Sequence, residues 1–415
     1  MQRQYLKIFL NKILFTLTLF YSIINAQDNA SVYGFVTDSS KGEALIGANV
    51  FINDIGIGMA TDINGYYVLQ DIEPGSYEIT VSYVGYDILN TNIELDKDMS
   101  LKLDLVLKEE AVSLNEVQVT AEKIQRKNNI QPSKINLSPR MLKSAPALAE
   151  PDLFRTIQAL PGVLTTSEFS TGLVIRGGNT DQNLILLDGV TVYNPSHLGG
   201  LFSNFIVDGV KEAELIKGAY NAEYGGRLSA VLNIISREGN QKKFEGKANL
   251  SLLSAQTTIE GPFYNGAWVF SGRRTYFDVL LPKILPANIA SRIPPYFFYD
   301  IQSHIYSDIT PKDRVSISFY NGIDDLLFDT FGLTGRWGNN TLSMQYRRVF
   351  SEKLIGNFLY ANSLFFTEFG LGGSNGLNSD NQIDDGTISA NLTWFKSLKS
   401  TVKFGAQMKN LGFLY

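Results

Sequence analysis

Residues 314–319 read RVSISF, which sets Val315, Ile317 and Phe319 on one side of an extended chain and Arg314, Ser316 and Ser318 on the other. The same alternation sets Leu342, Met344 and Tyr346 against Ser343, Gln345 and Arg347, and Ile388, Ala390, Leu392 and Trp394 against Ser389, Asn391 and Thr393. It begins at Glu245, where Glu245, Lys247, Asn249 and Ser251 alternate with Gly246, Ala248, Leu250 and Leu252. Successive side chains of a strand point to opposite faces, so each run has one apolar and one polar face. Repeated over segments of about ten residues with aromatics near their ends, this is the pattern of an antiparallel sheet that crosses a membrane, apolar towards lipid and polar towards a lumen. A soluble sandwich produces a similar alternation, so the flanking sequence has to decide. About eight such strands are expected between 239 and 415, among them 296–309, 353–366 and 403–408.

Composition removes several function classes. The chain has no Cys, which excludes a disulfide framework, a thiol nucleophile and a cysteine zinc site. His197 and His304 are its only histidines and lie far apart, so no metal site is expected. A net charge of −5 lacks the basic excess of a nucleic-acid-binding surface. Residues 31–108 hold no H-E-x-x-H or G-x-S-x-G motif, no catalytic residue is assigned, no cofactor is expected and the chain does not read as an enzyme.

At the N-terminus, Arg3, Lys7 and Lys12 precede the apolar ILFTLTLFYSII (13–24) and a small residue at Ala26, the layout of a secretory signal peptide over residues 1–26. That apolar core is shorter than the roughly 20 residues a spanning helix needs. Residues 27–108 then hold short β-branched and aromatic runs separated by turn formers such as Asp62-Ile63-Asn64-Gly65 and Glu73-Pro74-Gly75, which predicts a compact antiparallel β-sandwich of about seven strands. The order GEALIGANVFIND, TDINGYYVL, EPGSYEITVSYVGY resembles the carboxypeptidase-regulatory-like domain found at the N-terminus of many outer-membrane receptors. Residues 109–138 read as a polar linker. Within it, NEVQVTA (115–121) alternates like an extended segment, either a last strand of the sandwich or a segment free to add to another protein's sheet.

The region 139–238 opens on DLFRTIQALPGV, where Leu153, Ile157 and Leu160 share a helical face that Pro161-Gly162 ends. It continues through IRGG (Ile175–Gly178), LLDGV (Leu186–Val190), AELIKG (Ala213–Gly218) and AEYGGRLSAVLNIISR (Ala222–Arg237). In order and spacing these motifs resemble the plug domain of TonB-dependent receptors. The resemblance implies that Glu116, Val117, Gln118, Val119 and Thr120 are the TonB box by which the periplasmic protein TonB, with its inner-membrane energising complex, pulls on the plug. It also marks Arg176, Gly177, Gly178, Asp188, Gly189, Lys217, Gly218, Tyr224, Gly225, Gly226 and Arg227 as plug motif residues. Arg176 beside a glycine pair suits a guanidinium held near a turn and paired with a carboxylate, Lys217 stands where the family often has arginine, and Asp188-Gly189 is a hairpin-turn signal. His197, between Asn194-Pro195-Ser196 and Leu198-Gly199-Gly200, is either a polar loop residue or one that faces substrate.

The expected fold is thus all-β dominated: an N-terminal β-sandwich, an α+β plug domain at 139–238, and a partial antiparallel transmembrane β-barrel at 239–415. A plugged lumen needs on the order of 22 strands, so the chain is expected to be the N-terminal part of a longer one. The resemblance implies a TonB-dependent receptor of the cell outer membrane, with its sandwich in the periplasm, its strands against outer-membrane lipid, and a scarce solute as cargo: an iron chelate, vitamin, peptide or glycan. The alternative is a surface binding or sensor protein on the same scaffold without transport. The plug departs from the YVIDG and ASAIYGSRGANGVV wording of receptors for starch-type glycans, so a surface lipoprotein partner is left open.

Overall fold

The computed structural model describes residues 29–110, 133–144, 150–167, 170, 172–290, 295–328, 332–372, 376–398 and 400–415. The signal-peptide segment 1–26 and the TonB-box residues Glu116–Thr120 lie outside them.

The first unit comprises β1 (Ala30–Asp38), β2 (Asn49–Ile52), β3 (Ile57–Ala60), β4 (Tyr66–Ile72), β5 (Gly75–Ser82), β6 (Leu89–Leu95), β7 (Ser100–Lys102) and β8 (Leu105–Leu107). One sheet runs β4-β1-β7, with β8 also on β1, and the other runs β3-β2-β5-β6. Val32, Val36, Val50, Ile52, Leu69, Ile79 and Val81 fill the space between them. The sandwich is not wholly antiparallel as expected: β7 and β8 pair parallel to β1. After β6 the chain crosses to the other sheet instead of turning back in a hairpin, and a crossover delivers a parallel neighbour. Between β7 and β8 the Leu103 amide donates to the Tyr33 carbonyl at 2.7 Å, and Asp104 accepts from the Phe35 amide at 3.0 Å. Gly34 lies against this break, and a Cβ there would sit 2.1 Å from the Leu103 carbonyl oxygen. Gly34→Ala is therefore expected to destabilise the sandwich by about 1–3 kcal/mol through overpacking. Thermal unfolding checks this, and an unchanged midpoint would count against the close approach.

The second unit comprises β9 (Lys134–Leu137), helices Pro139–Ser144 and Leu153–Gln158, β10 (Val163–Thr165), β11 (Leu173–Ile175), β12 (Leu184–Leu187), β13 (Val190–Thr191), β14 (Ser196–His197), β15 (Phe202–Ser203), β16 (Val210–Ile216) and β17 (Val231–Ser236). Its central sheet runs β13-β12-β17-β16-β9. The segment read as linker up to 138 thus already supplies an edge strand, because Ile135 and Leu137 pair with Leu215 and Ala213 and join the apolar core. Asp152 starts the second helix, its Oδ1 accepting from the Phe154 and Arg155 amides at 2.8 and 3.0 Å. Leu153 and Ile157 of that helix are fully buried against Leu215, Leu232 and Ile234.

The third unit is one sheet of nine strands in consecutive order: β18 (Glu245–Leu250), β19 (Ser254–Phe263), β20 (Gly266–Thr275), β21 (Tyr296–Thr310), β22 (Asp313–Phe328), β23 (Leu333–Ser351), β24 (Leu354–Leu371), β25 (Leu377–Ser397) and β26 (Ser400–Leu414). Its alternation is inverted relative to a soluble protein. Ser318, Ser343 and Ser389 are buried, while Val315, Met344 and Ile388 are exposed. The polar face lies against the plug, where the Gln302 amide donates to Ser236 Oγ at 2.9 Å and the Gln345 amide to the Asp188 carbonyl at 2.7 Å. A face that is polar where it is covered and apolar where it is open fits strands in lipid around a polar filling. Among the described residues no helix is long and apolar enough to cross a membrane.

The two rims differ. At one, β19–β20, β21–β22 and β23–β24 are joined by two-residue turns, and at the other the connections include 276–295 with helix Phe277–Ile284. The sandwich docks at the short-turn rim: Tyr66 and Val68 pack with Val349, Ile355 and Phe395, and the Tyr66 hydroxyl donates to the Glu352 carbonyl at 2.7 Å. Glu43 also meets Arg237 at 3.1 Å, at the junction between plug and sheet.

Candidate functional site

The hairpin β14–β15 carries His197 out of the plug and into the wall of the nine-stranded sheet. Its imidazole is fully buried, with Nδ1 2.7 Å from Asp324 Oδ2 of β22 and Nε2 2.8 Å from Asp300 Oδ1 of β21. Carboxylates only accept, so both ring nitrogens donate and the ring is an imidazolium. Burial pushes its pKa down, but Asp300 and Asp324 outweigh that and hold it raised at about 9. The ring stacks on Phe298 with centroids 4.1 Å apart.

Asp300 is shared with a second plug contact. Its Oδ2 accepts from Arg273 Nε at 2.8 Å and Nη2 at 2.5 Å, and its Oδ1 from the Tyr320 hydroxyl at 2.8 Å. Arg273 of β20 reaches on to Glu150 Oε1 of the plug at 2.6 Å and to the Ser203 carbonyl of β15 at 2.6 Å. Glu150 also accepts from Ser254 at 2.5 Å and from the Gln256 amide. The result is a buried row Asp324, His197, Asp300, Arg273, Glu150, in which charges alternate in sign and ownership passes between wall and plug. Alternating, hydrogen-bonded charges offset one another's desolvation, which an isolated buried ion cannot do. Such a row is suited to holding two bodies together.

The residues singled out in the sequence gather elsewhere. Arg176 has φ +48° and Gly177 φ +80°. The Arg176 guanidinium donates to Ser133 Oγ at 3.0 Å, so its partner is a hydroxyl and not the expected carboxylate. Gly178 packs on Ser229, which leaves no room for a Cβ there. Lys217 donates to the Pro161 carbonyl at 2.7 Å, and Gly218 lies beside Arg176. Asp188 (φ +49°) and Gly189 (φ +82°) form the expected hairpin turn between β12 and β13. The Asp188 carboxylate accepts from the Ser236 amide and hydroxyl at 2.9 and 2.6 Å. Tyr224, Gly225 and Gly226 (φ +77°) make the tight bend, and Arg227 lies 5.9 Å from the Tyr193 ring. His197 is enclosed by wall carboxylates, so its ring does not face substrate as one reading of its loop had it.

Glu150, Arg273, Asp300 and Asp324 were not singled out from sequence. The available signal was parity: Arg273, Asp300 and Asp324 are charged residues on the polar phase of their strands.

Residues 32–119 match the CarboxypepD_reg-like domain. Residues 142–231 match the TonB-dependent Receptor Plug Domain, over the unit that packs against the polar face of the nine-stranded sheet. The chain carries the plug of a TonB-dependent receptor. The plug follows a carboxypeptidase-regulatory-like domain whose match runs through Val119, into the segment read as the TonB box. TonB-dependent receptor SusC of Bacteroides thetaiotaomicron is 26% identical over 273 residues, which cover 63% of this chain and 25% of that protein. In fold, the chain is similar to the ferric enterobactin receptor PfeA of Pseudomonas aeruginosa, with a TM-score of 0.52 and 17% identity over 70% of this chain and 50% of that one. It is also similar to the siderophore receptor PirA of Acinetobacter baumannii, with a TM-score of 0.51 and 14% identity over 72% of this chain and 50% of that one. The chain therefore spans a quarter of the curated relative and half of each solved structure.

Proposed function

We propose that this chain belongs to an outer-membrane transporter that binds a scarce solute at its outer face and admits it to the periplasm when TonB pulls on the plug. The observation that carries the reading is the inverted sheet, whose polar face grips the plug through a buried ionic row while its apolar face is open. The short-turn rim, where the sandwich docks, is the periplasmic side, and the longer connections face outwards, as in bacterial outer-membrane barrels. Strands of 15 to 21 residues exceed the roughly 9–11 needed to cross, so they extend beyond the lipid. The segment 115–121 is the TonB box, and the sandwich leads into it from the periplasmic rim.

Deleting residues 115–121 in the full-length protein is expected to abolish energised uptake and to leave solute binding unchanged. Uptake by the deletion variant at the wild-type rate would remove the TonB-box assignment.

A further inference from the structure

The rim away from the sandwich holds a cavity of about 350 Å3, within the size range of small-molecule sites. Phe277 and Leu281, one turn apart on helix Phe277–Ile284, line it together with Tyr296, Leu326 and Trp337 of the sheet, and the plug contributes Leu198. None of the described residues that line it is charged, and the Tyr296 hydroxyl is already committed to Asp324. An ion or a polyhydroxylated group placed here would lose its water without gaining partners. A flat or puckered ring would gain apolar burial and aromatic contacts.

A second observation ties the cavity to the ionic row. Leu198 has φ +48°, a left-handed conformation that a side chain of this size rarely adopts, and its amide donates to Asp324 Oδ1 at 3.0 Å. The same carboxylate accepts from the Tyr296 hydroxyl and, through Oδ2, from His197 Nδ1. One side chain thus joins two cavity residues to the plug's buried histidine.

We propose that this cavity seats an uncharged aromatic or alicyclic ring of the solute, and that Asp324 passes its filling on to the plug. The proposal rests on the transporter reading for the meaning of the solute. Its chemistry is tested apart from uptake, on full-length protein in lipid nanodiscs with indole as the probe. The chain has no Cys, so single cysteines report cleanly. Indole is expected to slow maleimide labelling of Leu281→Cys saturably and about ten-fold, and to change labelling of the outward-facing Val279→Cys by less than about two-fold. Glucose and citrate are expected to change neither. Phe277→Cys provides the same test should the first variant fold poorly, although this helix buries none of its residues. Equal protection at both sites, or protection by citrate or glucose, would overturn the assignment of the cavity.

For the coupling, hydrogen exchange across residues 196–204 is expected to change about three-fold on adding indole to the wild type. Tyr296→Phe should lose that response while keeping the protection at Leu281→Cys. A Tyr296→Phe variant that responds like the wild type would overturn the role of Asp324. A missing indole effect leaves energised uptake untouched, whereas protection without any energised uptake keeps the cavity and removes the transporter.

Discussion

Arg273→Ala is expected to weaken the seating of the plug by about 3–5 kcal/mol, the usual effect of removing one partner from a buried ion pair. The loss is large because one planar guanidinium serves Glu150, Asp300 and the Ser203 carbonyl together, so its removal strands two carboxylates and a backbone acceptor away from water. His197 still neutralises part of Asp300, but it lies beyond Asp300 in the row and leaves Glu150 with only Ser254 and Gln256 as partners. Arg273→Lys should recover part of the loss, since a lysine keeps the charge without the fork that spans two carboxylates. Denaturant titration of plug release in lipid-embedded protein measures the effect. A change below about 1 kcal/mol would mean that the row forms after the plug is already held by other contacts.

The second large effect is on pH. The His197 imidazole has its pKa raised to about 9 in the folded protein from an ordinary value of 6.5. The folded state therefore binds the extra proton more tightly. Its stabilisation is fully present below pH 6.5 and is lost as the pH rises through about 9, by on the order of 3 kcal/mol for this shift. The groups facing the ring are Asp300 and Asp324, with Arg273, Tyr296 and Tyr320 bonded to those carboxylates. Plug release measured between pH 7 and 10 should become easier across this window in the wild type and stay nearly flat in His197→Gln. Glu212 contributes in a different window. Burial and then Glu214 push its carboxyl up to about 7, so its effect falls between its ordinary 4.5 and 7 and is common to both proteins. Equal slopes above pH 7 in wild type and variant would show that the ring is neutral.

Much of the architecture was legible because its signals are local. Alternation in Arg314–Phe319 and Leu342–Arg347 marks strands and also marks which side is covered, since the polar phase is the buried one here. The turn at Asp188-Gly189 and the helix stop at Pro161-Gly162 follow from backbone preferences of the residues themselves. The edge strand Lys134–Leu137 escaped notice because four residues among charged and polar neighbours carry too little pattern, and their strand state comes from pairing with Val210–Ile216, about 80 residues away. The parallel pairing of Ser100–Leu107 with Ala30–Asp38 was hidden for the same reason. The ionic row was the least visible part. Arg273, Asp300 and Asp324 each look like ordinary lumen-facing polar residues, and Glu150 and His197 like loop residues. Only the register of β20, β21 and β22 around the plug brings them together. The charge of Arg176 and its place beside the Gly177-Gly178 turn point to a carboxylate partner, and the fold places Ser133 at its tip.

The central claim is that the nine-stranded sheet is a membrane wall with its polar face on the plug. Oxygen accessibility of nitroxides on single cysteines placed one by one at residues 315–320, in lipid-reconstituted full-length protein, tests it most directly. High accessibility at 315, 317 and 319 with low accessibility at 316, 318 and 320 is the result expected. No two-residue alternation, or ready access of a water-soluble relaxation agent to 315, 317 and 319, would contradict it.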